Sequence, residues 1–397
     1  MQTQPLSDIK VLEMGSLIAG PFAGRLFGDF GAEVIKVEPP VVGDPLRNWR
    51  LLKNGTSLWW YVQSRNKKCI TLNLREKAAR DIILRLVEHM DIVVENFKPG
   101  TMEKWGLGYE ELKRVNPKII MVRISGYGQD GPYASKPGFG SVGEALGGIR
   151  HLTGYPELPP TRAGISMGDS IAAIYAVMSA MMAIHHRDKS GEGQYIDVAL
   201  YEAVFSLMES LVPEFDQFEF IRERTGSTLP GIAPSNIYLC KDDKYIVIGA
   251  NGDSIFKRLT EAIERPDLEQ NEEFFSNEGR AKRAEWIDEQ ITSWTIKRDS
   301  SEALMILDEY QIPSGPIYNA KDMFKDAHFK ARNMLPKVKV DGVGELSMPG
   351  IIPKFSKTPG KIKWAGASLG EHNTEIYRDM LGISEEELSI MKENKII

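Results

Sequence analysis

The residue best suited to covalent chemistry is Asp169, in the sequence Gly168-Asp169-Ser170 that comes before a long apolar stretch. An aspartate at the start of a helix is a favoured N-cap, because its carboxylate accepts hydrogen bonds from free helix N–H groups. A carboxylate can also act as a nucleophile in covalent catalysis, although this is rare. The spacing favours the cap, and both roles are compatible if the carboxylate faces a cleft.

A second candidate is the turn Gly15-Ser16-Leu17-Ile18-Ala19-Gly20-Pro21, which follows a strand pattern and begins a helix pattern. Free backbone N–H groups at such a helix start can bind phosphate. The turn lacks the glycine spacing of a dinucleotide fingerprint, and it lacks the Gly-Lys-Ser/Thr of a P-loop. A tight strand-to-helix turn is the simpler interpretation, and phosphate binding stays open as an alternative.

Positive charges lie close to predicted strand ends, in Asn66-Lys67-Lys68, at Arg75 and from Lys98 to Lys104. Such local clusters can hold a polyphosphate ligand, whereas a single lysine is more often a solvated surface residue. The 397 residues carry a net charge of −6. A broad nucleic-acid surface needs positive charge clustered over a whole face, so we expect no such surface in this acidic chain.

Histidine and cysteine exclude several classes of site. The six histidines form no HExxH motif and no His-Asp-Ser order with a nucleophile elbow. The two cysteines, Cys69 and Cys240, form no Cys/His cluster, so neither a metal site nor a disulfide framework is expected. The N-terminus does not resemble a signal peptide, and the longest apolar helix candidate, 171–184, is short for a bilayer span. We therefore expect a soluble, cytoplasmic protein.

The elements that must position these residues alternate between strand and helix. Helix patterns cover 21–30, 76–90, 101–115 and 169–186, and the last is nearly all apolar, so we expect it to be buried on most sides. The alternation predicts a parallel, helix-covered sheet in an α/β fold. Six strand patterns contribute to it: 9–14, 32–37, 69–72, 91–95, 118–125 and 194–200.

Short motifs in a fixed order extend this picture. The first are Val11-Leu12-Glu13 through Gly20-Pro21, and Phe30-Gly31-Ala32-Glu33-Val34-Ile35-Lys36-Val37-Glu38. Later motifs are Arg65-Asn66-Lys67-Lys68, Asn73, Val94-Glu95-Asn96-Phe97-Lys98-Pro99-Gly100, Gly106-Leu107-Gly108-Tyr109, Gly126-Tyr127-Gly128, Gly131-Pro132-Tyr133, Gly168-Asp169, Gly191-Glu192-Gly193-Gln194 and Asp197. Together they resemble the class III CoA-transferases, the CaiB/BaiF group. The resemblance is dense over 8–205 and weaker to Leu369-Gly370-Glu371-His372.

The resemblance implies an interlocked homodimer of ring-shaped subunits, each with a large Rossmann-like domain and a smaller α/β domain. In this chain the implied division is 1–205 for the N-terminal part of the large domain and 206–235 for a linker. The small domain follows at 236–320, and 321–397 holds a return linker and the C-terminal part of the large domain. Besides its own second copy, the implied partners are CoA, acyl-CoA and small carboxylic acids, with no permanently bound cofactor, no nucleic acid and no membrane.

The resemblance also assigns site residues. Asp169 matches the catalytic aspartate, which forms an anhydride and then a CoA thioester. Ile18 and Ala19 match backbone contacts of CoA, and Lys104 matches a basic position that reaches phosphate. The remaining matches are Leu72, Asn73 and Arg75 along the adenosine and phosphates, Asn96, Phe97 and Lys98 at the next strand end, and Lys136, Pro137, Gly138 and Phe139 along the pantetheine channel.

Departures from the family pattern narrow the substrate. Pro39 and Ile18 replace a basic residue and a glutamine of formyl-CoA transferases, so oxalate or formyl specificity is not expected. The related 2-methylacyl-CoA racemases have a histidine where this chain has Phe139, and phenylalanine cannot act as a base. The leading hypothesis is transfer of CoA from an acyl-CoA donor, succinyl-CoA by resemblance, to a carboxylic acid. A racemase and a CoA-binding protein without turnover are the alternatives. Arg162 is a candidate for pairing a distal substrate carboxylate, although a structural salt bridge is the simpler role.

Overall fold

The computed structural model describes residues 4–397, which divide into two compact units. The first unit contains residues 4–149, 163–220 and 330–397. The second unit contains residues 150–162 and 221–329. The second unit therefore includes residues 150–162, which the family resemblance placed in the large domain.

A six-stranded parallel sheet lies at the centre of the first unit, in the order β5-β2-β1-β6-β7-β8. The six strand patterns of the sequence are confirmed to within two residues at each end. The strands are β1 (Lys10–Glu13), β2 (Glu33–Glu38), β3 (Leu52–Lys53), β4 (Thr56–Ser57), β5 (Lys67–Thr71), β6 (Ile92–Glu95), β7 (Ile120–Ser125), β8 (Tyr195–Ala199), β9 (Ser235–Leu239), β10 (Tyr245–Gly249), β11 (Ser314–Pro316), β12 (Lys337–Val340) and β13 (Gly344–Ser347).

The strand order defines where a ligand can bind. From β1 the chain adds β2 and β5 on one side, and it then returns to add β6, β7 and β8 on the other. This is the doubly wound order, in which the crevice outside the carboxyl ends of the strands lies where the direction reverses. Here that point lies between β1 and β6, which are direct neighbours.

Helices cover both faces of the sheet, and the first unit has an apolar core on each side. The helices are α1 (Ala19–Asp29), α2 (Leu58–Gln63), α3 (Lys77–Val87), α4 (Thr101–Lys104), α5 (Tyr109–Val115), α6 (Gly140–Leu146), α7 (Ile149–Leu152), α8 (Met167–Ser190), α9 (Leu200–Phe205), α10 (Leu211–Phe218), α11 (Asp253–Ala262), α12 (Asn277–Lys282), α13 (Ala284–Thr295), α14 (Ser300–Glu309), α15 (Ala320–Lys325), α16 (Ala327–Ala331) and α17 (Glu385–Glu393). Short 3-10 turns cover Pro45–Asn48, Pro266–Leu268 and Glu272–Phe274, and a π-helix covers Glu375–Met380.

The long helix α8 packs beside the sheet through a stripe of alanines that includes Ala172, Ala176 and Ala180. Small side chains allow close approach to β7 and α1. By length and composition alone this helix is apolar enough to cross a membrane, but its alanine stripe is part of the core. The expectation that the helix is buried on most sides is wrong, because Met178 and Met182 on its outer side are exposed in this chain.

Glycine shapes two stretches of the first unit, one of which differs from its predicted structure and one of which had no predicted structure. The helix predicted over 101–115 is two helices, α4 and α5, because Gly106 has a φ of +68° that ends the first. In the other stretch, α6 presents glycines to its neighbours. A Cβ on Gly143 would lie 2.8 Å from Leu200 Cβ, and one on Gly147 would lie 2.7 Å from Val204 Cβ. The glycines are therefore what lets α6 pack closely against α9.

The second unit holds a three-stranded antiparallel sheet in the order β11-β10-β9. Its core forms between this sheet and helices α11, α13 and α14. Ile246 and Ile248 of β10 point into that core, whereas Tyr245 and Val247 are exposed, which is the alternation expected of a sheet covered on one face.

Candidate active site

The turn between β1 and α1 is held to the end of β6 by one side chain. Asn96 Oδ1 accepts a hydrogen bond from the Ser16 N–H at 2.8 Å, and Asn96 Nδ2 donates to the Ser16 carbonyl at 3.0 Å. A Cβ on Gly15 would lie 2.6 Å from Asn96 Oδ1, so glycine is needed for this close approach. The Asn96 amide therefore joins the ends of β1 and β6, the two strands between which the strand order of the sheet reverses.

Ile18 and Ala19, the predicted backbone contacts of CoA, lie at the start of α1 with buried side chains. Within residues 4–397 their N–H groups have no hydrogen-bond acceptor. The Ile18 carbonyl is already used, since it accepts from Gln63 Nε2 at 3.1 Å and from the Phe22 N–H at 2.7 Å. Two backbone donors at a helix start are thus available for an anionic group.

A cleft of about 640 Å³ lies beside this turn, at the carboxyl ends of β1, β2, β5 and β6. Four of the predicted CoA-contact residues line it, namely Leu72, Asn73, Arg75 and Phe97. Its other lining residues are Met14, Gly15, Ser16, Val37, Glu38, Pro39, Pro40, Val42, Asp44, Pro45, Leu74, Thr101 and Trp105. A mostly apolar cleft with a few polar groups is the usual form of a small-molecule site.

Three predicted phosphate contacts, Arg75, Lys98 and Lys104, are exposed and follow β5 or β6. None of the three forms an ion pair with another described residue. The motif at 66–68 is different. Lys67 is fully buried with its Nζ 2.6 Å from Glu13 Oε2, and Lys68 pairs with Glu33 and Glu375. That motif is therefore neither a phosphate site nor a solvated surface.

Asp169 lies in the first turn of α8 with its side chain half-buried. The expectation that it is the N-cap is wrong, because the helix begins at Met167 and the cap residue is Ser166. Its carboxylate rests on the backbone of Gly140, where a Cβ would lie 2.0 Å from Asp169 Oδ2. The carboxylate thus lies beside the positive end of a helix dipole without being sealed in the core.

The segment before Gly140 contains the other predicted CoA contacts. Lys136 is exposed, with its Nζ 3.5 Å from the centre of the Tyr133 ring. Phe139 is 66% exposed. Gly138 passes so close to the loop after β7 that a Cβ there would lie 2.8 Å from the Gly126 Cα. Because the segment leads directly into Gly140, it brings these side chains to the neighbourhood of the Asp169 carboxylate.

The loop after β7 is held in place by Asp197 on β8. Asp197 Oδ2 accepts a hydrogen bond from the Gln129 N–H at 2.7 Å. Burial and the neighbouring charges of Glu202 and Asp130 raise the pKa of Asp197, although the Gln129 hydrogen bond opposes this. The loop that passes Gly138 is therefore anchored to the sheet.

Sequence reasoning missed some residues of this region. Gly140 and the buried Glu144, whose Oε1 accepts from the Gly168 N–H at 3.2 Å, were not identified. The spacing of Gly140, Gly143 and Gly147 is that of one helix face, and this signal could have revealed α6. Arg162, in contrast, is exposed and lies in the second unit.

A doubly wound sheet, a cleft at the point where its strand order reverses, cations along that edge without ion-pair partners among residues 4–397 and a half-buried carboxylate are features of an α/β enzyme with room for a phosphorylated ligand. The chain belongs to CoA-transferase family III, whose pattern matches residues 6–373. It is a class III acyl-CoA:carboxylate CoA-transferase. The family, α/β fold and enzyme class expected from the motif order are confirmed.

Relatives of known activity match the whole chain. It is 49% identical to the succinyl-CoA–D-citramalate CoA-transferase of Chloroflexus aurantiacus, over 99% of this chain and 98% of that protein. It is 36% identical to the succinyl-CoA:mesaconate CoA-transferase of Haloarcula marismortui, over 94% and 95% of the two chains. A CaiB/BaiF family protein from Brucella suis has a crystal structure that matches with a TM-score of 0.84 at 32% identity, covering 96% of this chain and 100% of that one.

Proposed function

We propose that this enzyme moves CoA from succinyl-CoA to a dicarboxylic acid, and that D-citramalate is the acceptor. The proposal is supported by the relative that is 49% identical and named for these two substrates. Relatives at 38% and 36% identity are named for L-malate and mesaconate with the same donor. Succinyl-CoA is common to all three names, whereas the acceptor varies.

The first half of the proposed reaction forms an enzyme thioester. A carboxylate oxygen of Asp169 attacks the donor carbonyl carbon, and the carbon–sulfur bond breaks to release CoA thiolate. This leaves a mixed anhydride between Asp169 and the donor acyl group. The thiolate then attacks the Asp169 carbonyl carbon of that anhydride, which releases the donor acid and leaves an aspartyl-CoA thioester.

The second half repeats these steps in reverse with the acceptor. A carboxylate oxygen of the acceptor acid attacks the aspartyl-CoA carbonyl carbon and expels CoA thiolate, which gives a second mixed anhydride. The thiolate attacks the acceptor carbonyl carbon, forms the product thioester and returns Asp169 as a carboxylate. No proton is taken up or released over the cycle, so no general base is required.

The contact between Asp169 and Gly140 is the observation that carries the proposal. The missing side chain at Gly140 leaves the carboxylate half-buried, so that it is partly shielded from water and still within reach of a substrate. Partial desolvation makes a carboxylate a better nucleophile and protects an anhydride from hydrolysis. N–H groups in the first turn of α8 are candidates for stabilising the oxyanion at each carbonyl.

The decisive experiment compares the enzyme with its Asp169→Asn variant. We expect the variant to lose at least about a thousandfold in transfer rate, the scale seen when a covalent nucleophile is removed, while its affinity for CoA stays unchanged. Intact-protein mass spectrometry after incubation with succinyl-CoA should show a hydroxylamine-sensitive CoA adduct on the native enzyme only. Turnover by the variant would refute the mechanism. CoA binding by the native enzyme without turnover would instead indicate a binding protein.

A panel of acceptors tests the substrate. With succinyl-CoA as donor, D-citramalate, L-malate, mesaconate and glutarate should be compared by kcat/KM, with product thioesters identified by mass. We expect D-citramalate to give the highest value. One methylene or hydroxyl changes kcat/KM by about 10- to 200-fold in an apolar pocket, so the difference between these acids should be measurable. A higher value for another acid would overturn the proposed acceptor but leave the mechanism intact.

A further inference from the structure

Four buried charged side chains form a cluster beside the turn that follows β1, namely Glu13, Lys36, Asp44 and Lys67. Lys36 Nζ donates to Glu13 Oε1 at 2.9 Å and to the Gly15 carbonyl at 3.0 Å, and it lies 2.9 Å from Asp44 Oδ2. Lys67 Nζ lies 2.6 Å from the other oxygen of Glu13. All four side chains are at most 1% exposed, which is rare for charged residues.

Asp44 contacts the same turn at Leu17. Its two carboxylate oxygens lie 3.1 and 3.2 Å from the Leu17 nitrogen, whose N–H donates to them, and Oδ1 also accepts from the Leu46 N–H at 2.9 Å. Leu17 has a φ of +64°, a left-handed conformation that is uncommon for a leucine. Such a backbone persists only when its surroundings hold it in place.

Each of three side chains binds different backbone N–H or carbonyl groups of the turn. Lys36 binds the carbonyl of Gly15, Asn96 binds both backbone groups of Ser16, and Asp44 binds the N–H of Leu17. Among the described residues, the N–H groups of Ile18, Ala19 and Gly20 have no acceptor and are left for a ligand. The cluster is also balanced in charge, because Lys36 and Lys67 face Glu13 and Asp44.

We propose that Lys36 and Asp44 are positioning residues for CoA. Lys36 fixes the carbonyl of Gly15 and Asp44 fixes the N–H of Leu17. The turn is thereby held so that the N–H groups of Ile18 and Ala19 keep the orientation that binds the thioester substrate. This inference rests on the proposed function, since it assumes that the turn contacts CoA. It assigns a role in binding to charges that act through the backbone of the turn, although Asp44 also lines the cleft. A rigid donor pair binds more tightly than a mobile one because less conformational freedom is lost on binding.

The charge state of the cluster agrees with this role. Burial opposes the charged form of Lys36, but the attraction of Asp44, Glu13 and Glu38 outweighs it, so the pKa of Lys36 is raised. Burial likewise opposes the charge of Asp44, and the Lys36 ammonium and the backbone N–H groups lower its pKa. Both contacts with the turn are therefore charge-assisted hydrogen bonds, which are stronger than neutral ones.

The test uses double variants that remove one charge of each sign, because a single buried charge without its partner is strongly destabilising. Lys36→Met with Asp44→Leu, the apolar double variant, removes both contacts with the turn. Lys36→Met with Asp44→Asn, the amide double variant, keeps an oxygen that can accept from the Leu17 N–H. The control is Asp29→Asn with Arg65→Met, a buried ion pair at 2.6 Å that does not contact the turn.

We expect the Kd for CoA and the KM for succinyl-CoA to rise about tenfold or more in the apolar double variant, a change that corresponds to about 1.4 kcal/mol. The amide double variant loses the Lys36 contact with Gly15 but keeps an acceptor for the Leu17 N–H, so its Kd should rise by less than in the apolar variant and by more than in the control. The control at Asp29 and Arg65 should stay within about threefold. A variant that is merely less stable would instead lose active enzyme, so that the apparent kcat falls while KM is unchanged. Equal Kd values in all four proteins, or the same rise in the control, would overturn the inference.

Hydrogen exchange of the native enzyme gives a second measurement that does not depend on how the variants fold. The amides of Ser16 and Leu17 should be protected without CoA and should change little when CoA is added. Rapid exchange that slows only with CoA would contradict a pre-formed turn. If the native enzyme binds CoA but transfers nothing from succinyl-CoA, the proposed function fails, whereas the role of Lys36 and Asp44 in binding is still decided by the Kd comparison.

Discussion

At the scale of single residues, two glycines decide the geometry of the site. Gly15 admits the Asn96 side chain that joins β1 and β6, and Gly140 admits the Asp169 carboxylate. In each place a Cβ would come within 2.6 Å of a side-chain oxygen. These positions are sensitive to one added methyl group because the atoms opposite them belong to the site itself.

Gly140→Ala is therefore expected to displace the Asp169 carboxylate. The added Cβ would lie 2.0 Å from Oδ2, a distance that requires the carboxylate to move. A misplacement of about 1 Å costs about a hundredfold in rate, so we expect kcat to fall by that order with the Kd for CoA little changed. Steady-state kinetics and calorimetric binding of CoA check this.

The matched control is Gly164→Ala, a few residues before Asp169, where an added Cβ meets nothing within 4 Å. This variant should retain full activity. An active Gly140→Ala enzyme would show that the carboxylate can react from another position.

At the scale of elements, the end of β6 is joined to β7 by buried charges. Arg123 donates to Glu95 Oε1 at 2.9 Å and pairs with Glu103 at 2.8 Å, while Glu95 Oε2 accepts from the Phe97 N–H at 2.7 Å. Burial raises the pKa of Glu95 to about 7, despite its contact with Arg123. The strand end that leads to Asn96 and Lys98 thus carries a group that titrates near neutral pH.

Because the folded protein keeps a proton on Glu95 that the unfolded chain releases above about pH 4.5, stability should decrease as the pH rises from about 5 through 7. The contribution of this one group is at most about 3 kcal/mol. Denaturant unfolding at pH 5, 6, 7 and 8 measures the slope. Glu95→Gln should flatten it relative to the native protein, and an unchanged slope would mean that Glu95 is ionised throughout this range.

The sequence predicted elements better where periodicity was strong than where glycine was frequent. The six strands were found because buried parallel strands are continuous apolar runs. The helix α6 was missed, since its two glycines, Gly140 and Gly143, oppose helix formation, and their close contacts with Asp169 and Leu200 depend on the fold. The lysines of 66–68 were misread because ion pairs such as Lys67 with Glu13 join residues far apart in sequence.

At the scale of the whole molecule, the first unit leaves a row of apolar side chains exposed. On α8 these include Ile174 at 54%, Met178 at 43% and Met182 at 62%, and Phe215 and Phe218 of α10 are exposed as well. Soluble chains rarely expose contiguous apolar surface unless another protein covers it. We propose that a second copy of this chain covers it, as the family resemblance suggests.

Met182→Glu is expected to weaken this association, because a carboxylate would have to be buried in an apolar contact. Analytical ultracentrifugation over a range of concentrations should show a dimer for the native protein and a shift toward monomer for the variant. Lys189→Glu, at the polar end of the same helix, is the control and should leave the dimer intact. A native protein that is monomeric at all concentrations would refute the proposal.

The motif order identified the family, since the family depends on short segments of sequence. The role of Asp169 as the nucleophile stays a prediction. The motif order did not reveal the assignment of residues 150–162 to the second unit, because that assignment depends on long-range contacts. Nor did it reveal the cluster of Lys36 and Asp44, whose partners come from three separate segments. Local patterns therefore identified the family, and the contacts around the candidate site became visible only in three dimensions.

The edge strand β5 has a consequence for how the protein is made. Tyr377 Oη donates to the Thr71 carbonyl at 2.7 Å, the Cys69 N–H donates to His372 Nδ1 at 3.1 Å, and the Asn73 N–H donates to the Ile396 carbonyl at 2.8 Å. Residues 67–73 leave the ribosome long before these partners are synthesised. The edge of β5 therefore stays uncovered in the nascent chain until the C-terminal residues are made. We expect chaperones that bind unpaired strands to bind this edge during translation.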